Sequence, residues 1–170
     1  EYLDENGEPT GYNVALTEAL AETLGLEVEI RLGPWNQIRD DLESGHIDAV
    51  HGMFYSAERD LQFDFSQTHA VVDHVAVAGS SFREAPRGLD DLQGLSIIVM
   101  QGDIMHDYAR ENGLAGQVHA VSTQEEALRL VAEGLYDCAL VARLPALYWI
   151  GENNWTEVQV SSVPVLSMQY

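Results

Sequence analysis

The feature that most constrains the fold is a short pattern that occurs twice. Residues 42–49 read Leu-Glu-Ser-Gly-His-Ile-Asp-Ala, and residues 131–138, about 90 positions later, read Val-Ala-Glu-Gly-Leu-Tyr-Asp-Cys. Each copy runs from a helix end through Gly and one variable residue to an apolar residue, Asp and a small residue. A helix stopped by Gly and followed at once by a strand is typical of alternating units, which build largely parallel sheets covered by helices. The repeat therefore predicts an α/β chain with two similarly built lobes.

The segments around the first copy alternate in the same way. Helical periodicity predicts a helix over residues 13–24, and Pro34 opens a second helix that Gly45 stops. Alternating or short apolar runs predict strands over residues 26–30 and 47–50. This half of the chain therefore reads helix, strand, helix, strand.

The second half repeats that order. The predicted elements are a strand over 96–100, a helix over 103–112, a helix from a capping box at 122–126 to Glu133, a strand over 136–141 and a helix over 145–151. We expect a first lobe over residues 1–78 and a second over 79–160. Residues 161–170 would then begin a return crossover toward the first lobe.

Composition excludes several functions. The 170 residues include 28 acidic and 8 basic side chains, all of the latter Arg, for a net charge of -20. Such a chain repels nucleic acid and anionic membrane surfaces. No apolar run approaches the roughly 20 residues that span a bilayer, and no signal peptide is visible, so we expect trimmed targeting segments. The single Cys138 excludes an internal disulfide and is expected to be a packed core thiol.

Candidate binding residues follow the predicted strands. Ligands of open α/β sheets collect at the carboxyl ends of strands, which indicates residues 51–54, 101–104 and 141–143. Arg59 comes shortly after the first of these segments, and its guanidinium can hold a carboxylate through two parallel hydrogen bonds. Residue chemistry alone leaves an equal alternative, in which Arg59 pairs with a neighbouring surface carboxylate.

Several motifs together resemble a known family. They are Gly7-Glu8-Pro9-Thr10-Gly11-Tyr12-Asn13, Trp35 with the 42–49 pattern, Gly52-Met53-Phe54-Tyr55-Ser56-Ala57-Glu58-Arg59 with Phe63-Asp64-Phe65-Ser66, Leu92-Gln93-Gly94-Leu95, and Gln101-Gly102. In order and spacing they are similar to the polar-amino-acid-binding branch of the periplasmic solute-binding proteins. The variants around residues 51–56 and 102–108 most resemble extracytoplasmic sensor domains of histidine kinases and diguanylate cyclases.

The resemblance implies a fold, and it implies that the chain is shorter than the family's full length. The fold is a two-lobed, type II periplasmic-binding-protein-like clamshell of mostly parallel sheets flanked by helices. Compared with the family, the chain is expected to be truncated at both ends. The usual first strand would precede Glu1, and the return into the first lobe would be incomplete at Tyr170.

The resemblance also implies roles for individual residues. Arg59 matches the arginine that holds a ligand carboxylate, and Trp35 matches an aromatic that stacks on the ligand, with a core Trp at helical spacing as the alternative. The turn 101–104 matches the one whose backbone N–H groups meet the ligand, where Asp103 would cap its own helix and compete. The candidate ligand-binding residues are Arg59, Trp35, His51, Gly52, Met53, Phe54, Gln101, Asp103, Ile104 and Arg143.

Two departures from the family narrow the ligand. Phe54 stands where the amino-acid binders carry Ser or Thr, and Ala142 stands where they carry the Asp that neutralises the ligand ammonium. A buried ammonium without a partner is costly. The hypothesis is therefore a small carboxylate, or an aromatic or apolar acid, with Arg59 and Arg143 as countercharges.

The sequence thus predicts a periplasmic or extracytoplasmic ligand-sensing domain of an inner-membrane signalling protein, with no cofactor, no clustered metal ligands and no nucleic-acid partner. The first alternative is a free periplasmic solute-binding protein that serves an ABC permease. The second is an enzyme similar to cyclohexadienyl dehydratases, for which Asp103 and His106 are the candidate acids.

Overall fold

The computed structural model describes all residues from 1 to 170, which form two units over residues 1–53 and 54–170. We call these unit 1 and unit 2. The lobes predicted at 1–78 and 79–160, with a return over 161–170, are a different partition and stay a prediction. No helix in either unit has the length and apolar character needed to cross a membrane.

The longest regular elements of unit 1 are two helices. A pair of short antiparallel strands, β1 (Tyr2–Leu3) and β2 (Pro9–Thr10), precedes helix α1 (Tyr12–Leu24), and helix α2 spans Trp35–Glu43. Gly25 ends α1 in a left-handed conformation, and Pro34 immediately precedes α2. Both helices and their terminating residues are therefore as the sequence predicts.

The two strands predicted in unit 1 are not formed. Residues 26–30 are irregular and residues 47–50 are bent or irregular, and neither segment joins a ladder. A strand is stabilised by hydrogen bonds to a neighbouring strand and by side-chain packing across it, and neither segment has such a neighbour. Leu26 is accordingly 59% exposed and Val28 48% exposed.

Unit 2 contains a six-stranded sheet. Its strands are β3 (Val71–Gly79), β4 (Ile97–Met100), β5 (Val118–Val121), β6 (Cys138–Ala142), β7 (Val158–Val160) and β8 (Leu166–Gln169). The order is β5-β4-β6-β3-β7, and β8 also pairs with β3. Strand β4 is parallel to β5 and β6, whereas the long strand β3 is antiparallel to β6, β7 and β8. The α/β fold is as predicted, but the sheet is mixed, because β3 meets three strands that return along it.

Three helices accompany the sheet of unit 2: α3 (Ile104–Glu111), α4 (Gln124–Ala132) and α5 (Arg143–Glu152). All three were predicted to within two residues at each end. The Asp103 carboxylate caps α3 at the Ile104 N–H, and the Thr123 hydroxyl caps α4 at the Glu126 N–H. These caps fix where two helices begin beside the ends of strands.

The core of unit 2 has two layers, one on each face of the sheet. Ile97 and Val99 of β4 pack with Met105 and Leu140 in one layer, while Ile98 packs in the other. This alternation is that of a strand covered on both faces. Cys138 lies in the first layer, where burial chiefly raises the pKa of its thiol to about 12. It is therefore the packed core thiol that the sequence predicts.

Candidate functional site

Arg59 lies almost completely inside unit 2. It begins a short 3-10 turn over residues 59–61, and its side chain is 2% exposed. The guanidinium donates from Nη1 to the Phe54 carbonyl oxygen at 3.2 Å and from Nη2 to the Gly102 carbonyl oxygen at 3.1 Å. Nη2 also donates to Asp107 Oδ2 at 2.9 Å. The predicted carboxylate-binding arginine is therefore paired with a carboxylate of its own chain.

Asp107 is the residue of this site that sequence reasoning missed. It lies on α3, where its Oδ1 also accepts a hydrogen bond from Arg110 Nη2 at 2.7 Å. The three-residue spacing of Asp107 and Arg110 signals a helical ion pair. Nothing local signals the pair with Arg59, which is 48 positions away in the chain. One buried carboxylate thus joins two guanidinium groups.

The turn between β4 and α3 satisfies its own backbone donors. Each N–H from residue 101 to residue 104 has an acceptor within unit 2. These donor and acceptor pairs are Gln101 with the Val121 carbonyl at 2.8 Å, Gly102 with His106 Nδ1 at 3.2 Å, Asp103 with the Met100 carbonyl at 3.2 Å, and Ile104 with Asp103 Oδ1 at 2.7 Å. The turn predicted to meet a ligand anion is occupied by the chain itself.

Asp103 is a buried acid with an altered titration. Burial raises the pKa of its carboxyl to about 6, and the Ile104 N–H and the Arg59 charge partly oppose that rise. Its Oδ2 accepts from Gln124 Nε2 at 3.4 Å, and Gln124 Oε1 accepts from the Ala142 N–H at 3.2 Å. Gln124 therefore links the residues that follow β4 to the end of β6. These two strands are parallel, so their carboxyl ends lie at the same edge of the sheet, where ligands of open α/β sheets bind.

Two further candidates in unit 2 have partners there. Phe54 is half-buried against the core, with its ring 4.8 Å from His74 and 5.1 Å from Tyr170. Arg143, the first residue of α5, reaches the Ser162 carbonyl from Nη2 at 3.5 Å, while its Nε is buried and makes no hydrogen bond. Burial, together with the charge of Arg110, lowers the pKa of His106.

The remaining candidates belong to unit 1. Trp35 is half-buried at the start of α2, and Met53 is buried. Thr17 Oγ1 donates to the Asn13 carbonyl at 2.8 Å and lies 2.6 Å from His51 Nδ1. The Thr17 hydroxyl proton is thus already used, which favours the His51 tautomer that carries its proton on Nδ1. Gly52, beside His51, has a φ of 107°.

Several known proteins are similar in sequence to this chain. It is 27% identical over 156 residues to the L-cystine-binding protein TcyJ of Escherichia coli strain K12, which covers 91% of this chain and 59% of TcyJ. It is 26% identical over 144 residues to the membrane-bound lytic murein transglycosylase F of Actinobacillus succinogenes, covering 80% of this chain and 30% of that protein. The chain thus spans less than two thirds of these relatives.

A solved structure and a family match extend the comparison. A histidine kinase sensor domain with similarity to periplasmic binding proteins superposes with a TM-score of 0.92 at 38% identity, covering 99% of this chain and 73% of that one. Residues 1–136 match the bacterial extracellular solute-binding proteins, family 3. The chain belongs to that family of solute-binding proteins, as the order and spacing of its sequence motifs indicated.

Proposed function

We propose that this chain is the extracytoplasmic sensing domain of a membrane signalling receptor, and that it binds a small molecule carrying a carboxylate. The observation that carries the sensor role is the similarity to a histidine kinase sensor domain, at 38% identity over 99% of this chain. Family membership supports solute binding and a location outside the cytoplasmic membrane. The receptor's signalling domains would then be partners in the same polypeptide.

The proposed ligand chemistry rests on Arg59. A guanidinium that is 2% exposed is little screened by water, so it is a strong countercharge for a ligand carboxylate that replaces Asp107 at Nη2. Phe54 and Ala142 supply neither a hydroxyl nor a carboxylate where amino-acid binders use them. The proposed ligand is therefore an acid that does not require an ammonium partner at residue 142, with an aromatic or apolar remainder.

Isothermal titration of the purified protein tests this chemistry with three matched probes: 3-phenylpropanoate, L-phenylalanine and phenethylamine. We expect the acid to bind more tightly than the amino acid, and the amine to bind weakest, because only the first lacks the ammonium and keeps the carboxylate. Binding of the amine as tight as that of the acid would exclude a carboxylate-specific site.

Variants at Arg59 locate the site. Arg59→Ala should lower the affinity for 3-phenylpropanoate by roughly 2–5 kcal/mol, as expected when one partner of a desolvated charge pair is removed. Arg59→Lys keeps the charge and loses the planar fork, so it should lower affinity by a smaller amount. Arg83→Ala, which removes an exposed arginine, is the matched control. Equal affinity in Arg59→Ala and the control removes Arg59 from the site.

The second candidate function is a free solute-binding protein that delivers its ligand to an ABC permease. It is favoured by the similarity to the L-cystine-binding protein TcyJ over 91% of this chain. The two functions share the same binding chemistry and differ in what is attached. Reading the gene beyond Tyr170 separates them, because a receptor continues into a transmembrane helix and a kinase or cyclase, whereas a free protein does not.

Catalysis has less support from the site. Asp103 has the raised pKa of a general acid, but its two carboxylate oxygens already accept hydrogen bonds from Ile104 and Gln124. The relatives include a murein transglycosylase, which this chain covers over 30% of its length. Incubation with prephenate or arogenate should leave both compounds unchanged, and formation of phenylpyruvate or phenylalanine would reverse this assignment.

A further inference from the structure

We infer that Asp107 is an internal competitor for the ligand carboxylate at Arg59 and thereby sets which ligands bind and how tightly. This inference rests on the proposed function, since it assumes that Arg59 receives the ligand. It goes further by assigning to a residue of α3 control over that site. The competition arises because the guanidinium offers a limited number of hydrogens.

A carboxylate binds arginine through two parallel hydrogen bonds in one of two ways. It faces either the two terminal nitrogens or Nε together with the terminal nitrogen on the same side. Both arrangements use Nη2, which carries two hydrogens. In this structure Nη2 donates to the Gly102 carbonyl oxygen at 3.1 Å and to Asp107 Oδ2 at 2.9 Å. A ligand can therefore form a bidentate pair only if one of these acceptors leaves.

Asp107 is the acceptor that can leave. The Gly102 carbonyl belongs to the backbone of the turn between β4 and α3, where hydrogen bonds at residues 101–104 hold the chain. The Asp107 carboxylate is a side-chain group that can rotate. It also has a second partner, because Arg110 Nη2 donates to Oδ1 at 2.7 Å from a half-exposed side chain. After exchange, the ligand pairs with Arg59 and Asp107 stays paired with Arg110.

This exchange makes recognition depend on ligand class. A carboxylate must compete with Asp107, and its observed dissociation constant is the intrinsic constant divided by the fraction of molecules in which Asp107 has released Arg59. A ligand without a carboxylate leaves the Arg59–Asp107 pair intact, so its affinity should not rise when Asp107 is substituted. Arg110 favours release, since it stabilises Asp107 after Arg59 has been given up.

Three substitutions test the inference, with titration of 3-phenylpropanoate and phenethylamine as the measurement. Asp107→Asn should tighten binding of the acid by about tenfold, the change that corresponds to roughly 1.4 kcal/mol. Arg110→Gln should weaken it by roughly two- to fivefold, the range for a partly exposed ion pair. Glu111→Gln removes one charge from an exposed side chain at the end of α3 and should leave affinity unchanged.

The double variant separates competition from a general charge effect. If Arg110 acts through Asp107, Arg110→Gln should have no further effect in the Asp107→Asn background. An equal loss in both backgrounds would show that Arg110 merely attracts anions, and would overturn the inference. Circular dichroism melting checks that each variant is folded. Because Arg110→Gln keeps the buried Arg59 pair, unchanged affinity in that variant overturns the inference even if Asp107→Asn does not fold.

The two levels of proposal fail in different ways. If the acid binds the wild type, and Asp107→Asn and Glu111→Gln bind it equally, the competition is wrong while the proposed function stands. If the acid binds none of these proteins, including Asp107→Asn, the carboxylate site itself is wrong. Tighter binding of phenethylamine to Asp107→Asn than to the wild type would also contradict the competition, because that probe has no carboxylate.

Discussion

The two copies of the repeated pattern fold alike up to their glycines and differently after them. Gly45 and Gly134 have φ angles of 73° and 74°, so each ends its helix in the left-handed conformation that glycine favours. In unit 2 the residues after the glycine continue into β6, which pairs with β4 on one side and β3 on the other. In unit 1, residues 47–50 form no strand. A local pattern can thus specify a helix end, whereas a strand requires a partner elsewhere in the chain.

The two units also differ in how deeply their apolar side chains are buried. In unit 2, Ile98 and Leu140 are 0% exposed because strands and helices cover them from both faces of the sheet. In unit 1, Leu24 and Leu26 are 67% and 59% exposed. Apolar surface removed from water is the main favourable contribution to folding. The free energy of unfolding should therefore depend far more on apolar residues of unit 2 than on those of unit 1.

The largest expected effect compares the same substitution in the two units. Leu140→Ala should lower the free energy of unfolding by about 4 kcal/mol, within the 2–5 kcal/mol range for buried leucines, since it opens a cavity inside β6. Leu26→Ala removes a side chain that is already mostly in water and should cost about 0.5 kcal/mol or less. Urea denaturation followed by circular dichroism measures both values.

Comparable losses in the two variants would mean that Leu26 is covered in solution and that the contrast in burial is wrong. A loss below about 1 kcal/mol in Leu140→Ala would contradict the tight core of unit 2. Leu140→Met, which nearly conserves volume, is a milder companion variant and should cost less than about 1.5 kcal/mol.

Acid–base behaviour distinguishes the units as well. In unit 1 the shifted carboxyl groups are fully exposed: hydrogen bonds to nearby residues lower the pKa of Asp4 and of Glu29. In unit 2, burial is the main cause, raising the pKa of Asp103 to about 6 and lowering that of His74 to about 4. Only shifts of the second kind should produce a sizeable pH dependence of stability.

Asp103 and His74 change the free energy of unfolding in opposite directions over the same range of pH. The folded pKa of Asp103 exceeds its ordinary 3.8, so its stabilising contribution is complete below that value and is lost as pH rises through about 6. The folded pKa of His74 is below its ordinary 6.5, so its contribution is complete above that value and is lost as pH falls toward about 4. Each group changes the free energy of unfolding by about 3 kcal/mol across its titration, and the two changes nearly cancel.

Asp103→Asn removes the titration of Asp103 and leaves that of His74. The wild type should have nearly level stability between pH 4.5 and 6.5, whereas Asp103→Asn should lose about 2–3 kcal/mol on acidification through that range, because His74 is then uncompensated. Urea denaturation at several pH values measures the slope. Asp90→Asn removes an exposed carboxylate and should retain the level profile. A parallel profile for Asp103→Asn would show that the Asp103 carboxyl titrates near its ordinary value.

Much of the molecule could be predicted from sequence where local rules apply. Helix periodicity, glycine stops and caps located all five helices, and short apolar runs located β4 and β6 of unit 2. The rules failed at residues 26–30 and 47–50, because strand formation depends on neighbours that no local pattern contains.

The candidate site could also be predicted only in part. Asp103 was expected to cap its own helix, and the structure has this cap. The role predicted for Arg59, holding a ligand carboxylate, stays a prediction. The pair between Arg59 and Asp107 could not be predicted, because it is formed by packing α3 against a turn 48 positions away in the chain. The sequence therefore locates the charged groups, and tertiary packing decides which of them meet.

The aspartates of the repeated pattern should show the smallest difference in stability between its two copies. Asp137 Oδ2 accepts two hydrogen bonds from Ser96, from its N–H and its hydroxyl, each at 2.8 Å. Asp48 is exposed and makes no side-chain hydrogen bond. Asp137→Ala should lower the free energy of unfolding by about 2 kcal/mol, as expected for hydrogen bonds to a charged group, and Asp48→Ala by less than about 0.5 kcal/mol.

A double-mutant cycle with Ser96→Ala determines how much of this difference arises from the hydrogen bond of the Ser96 hydroxyl to Asp137. If Asp137 stabilises unit 2 through Ser96, the double variant should lose less than the sum of the two single losses, by about 1 kcal/mol. Additive losses would mean that the Ser96 hydroxyl contributes nothing to the effect of Asp137. Asp137 would then stabilise unit 2 through the backbone N–H of residue 96, which Ser96→Ala retains, or through its other surroundings.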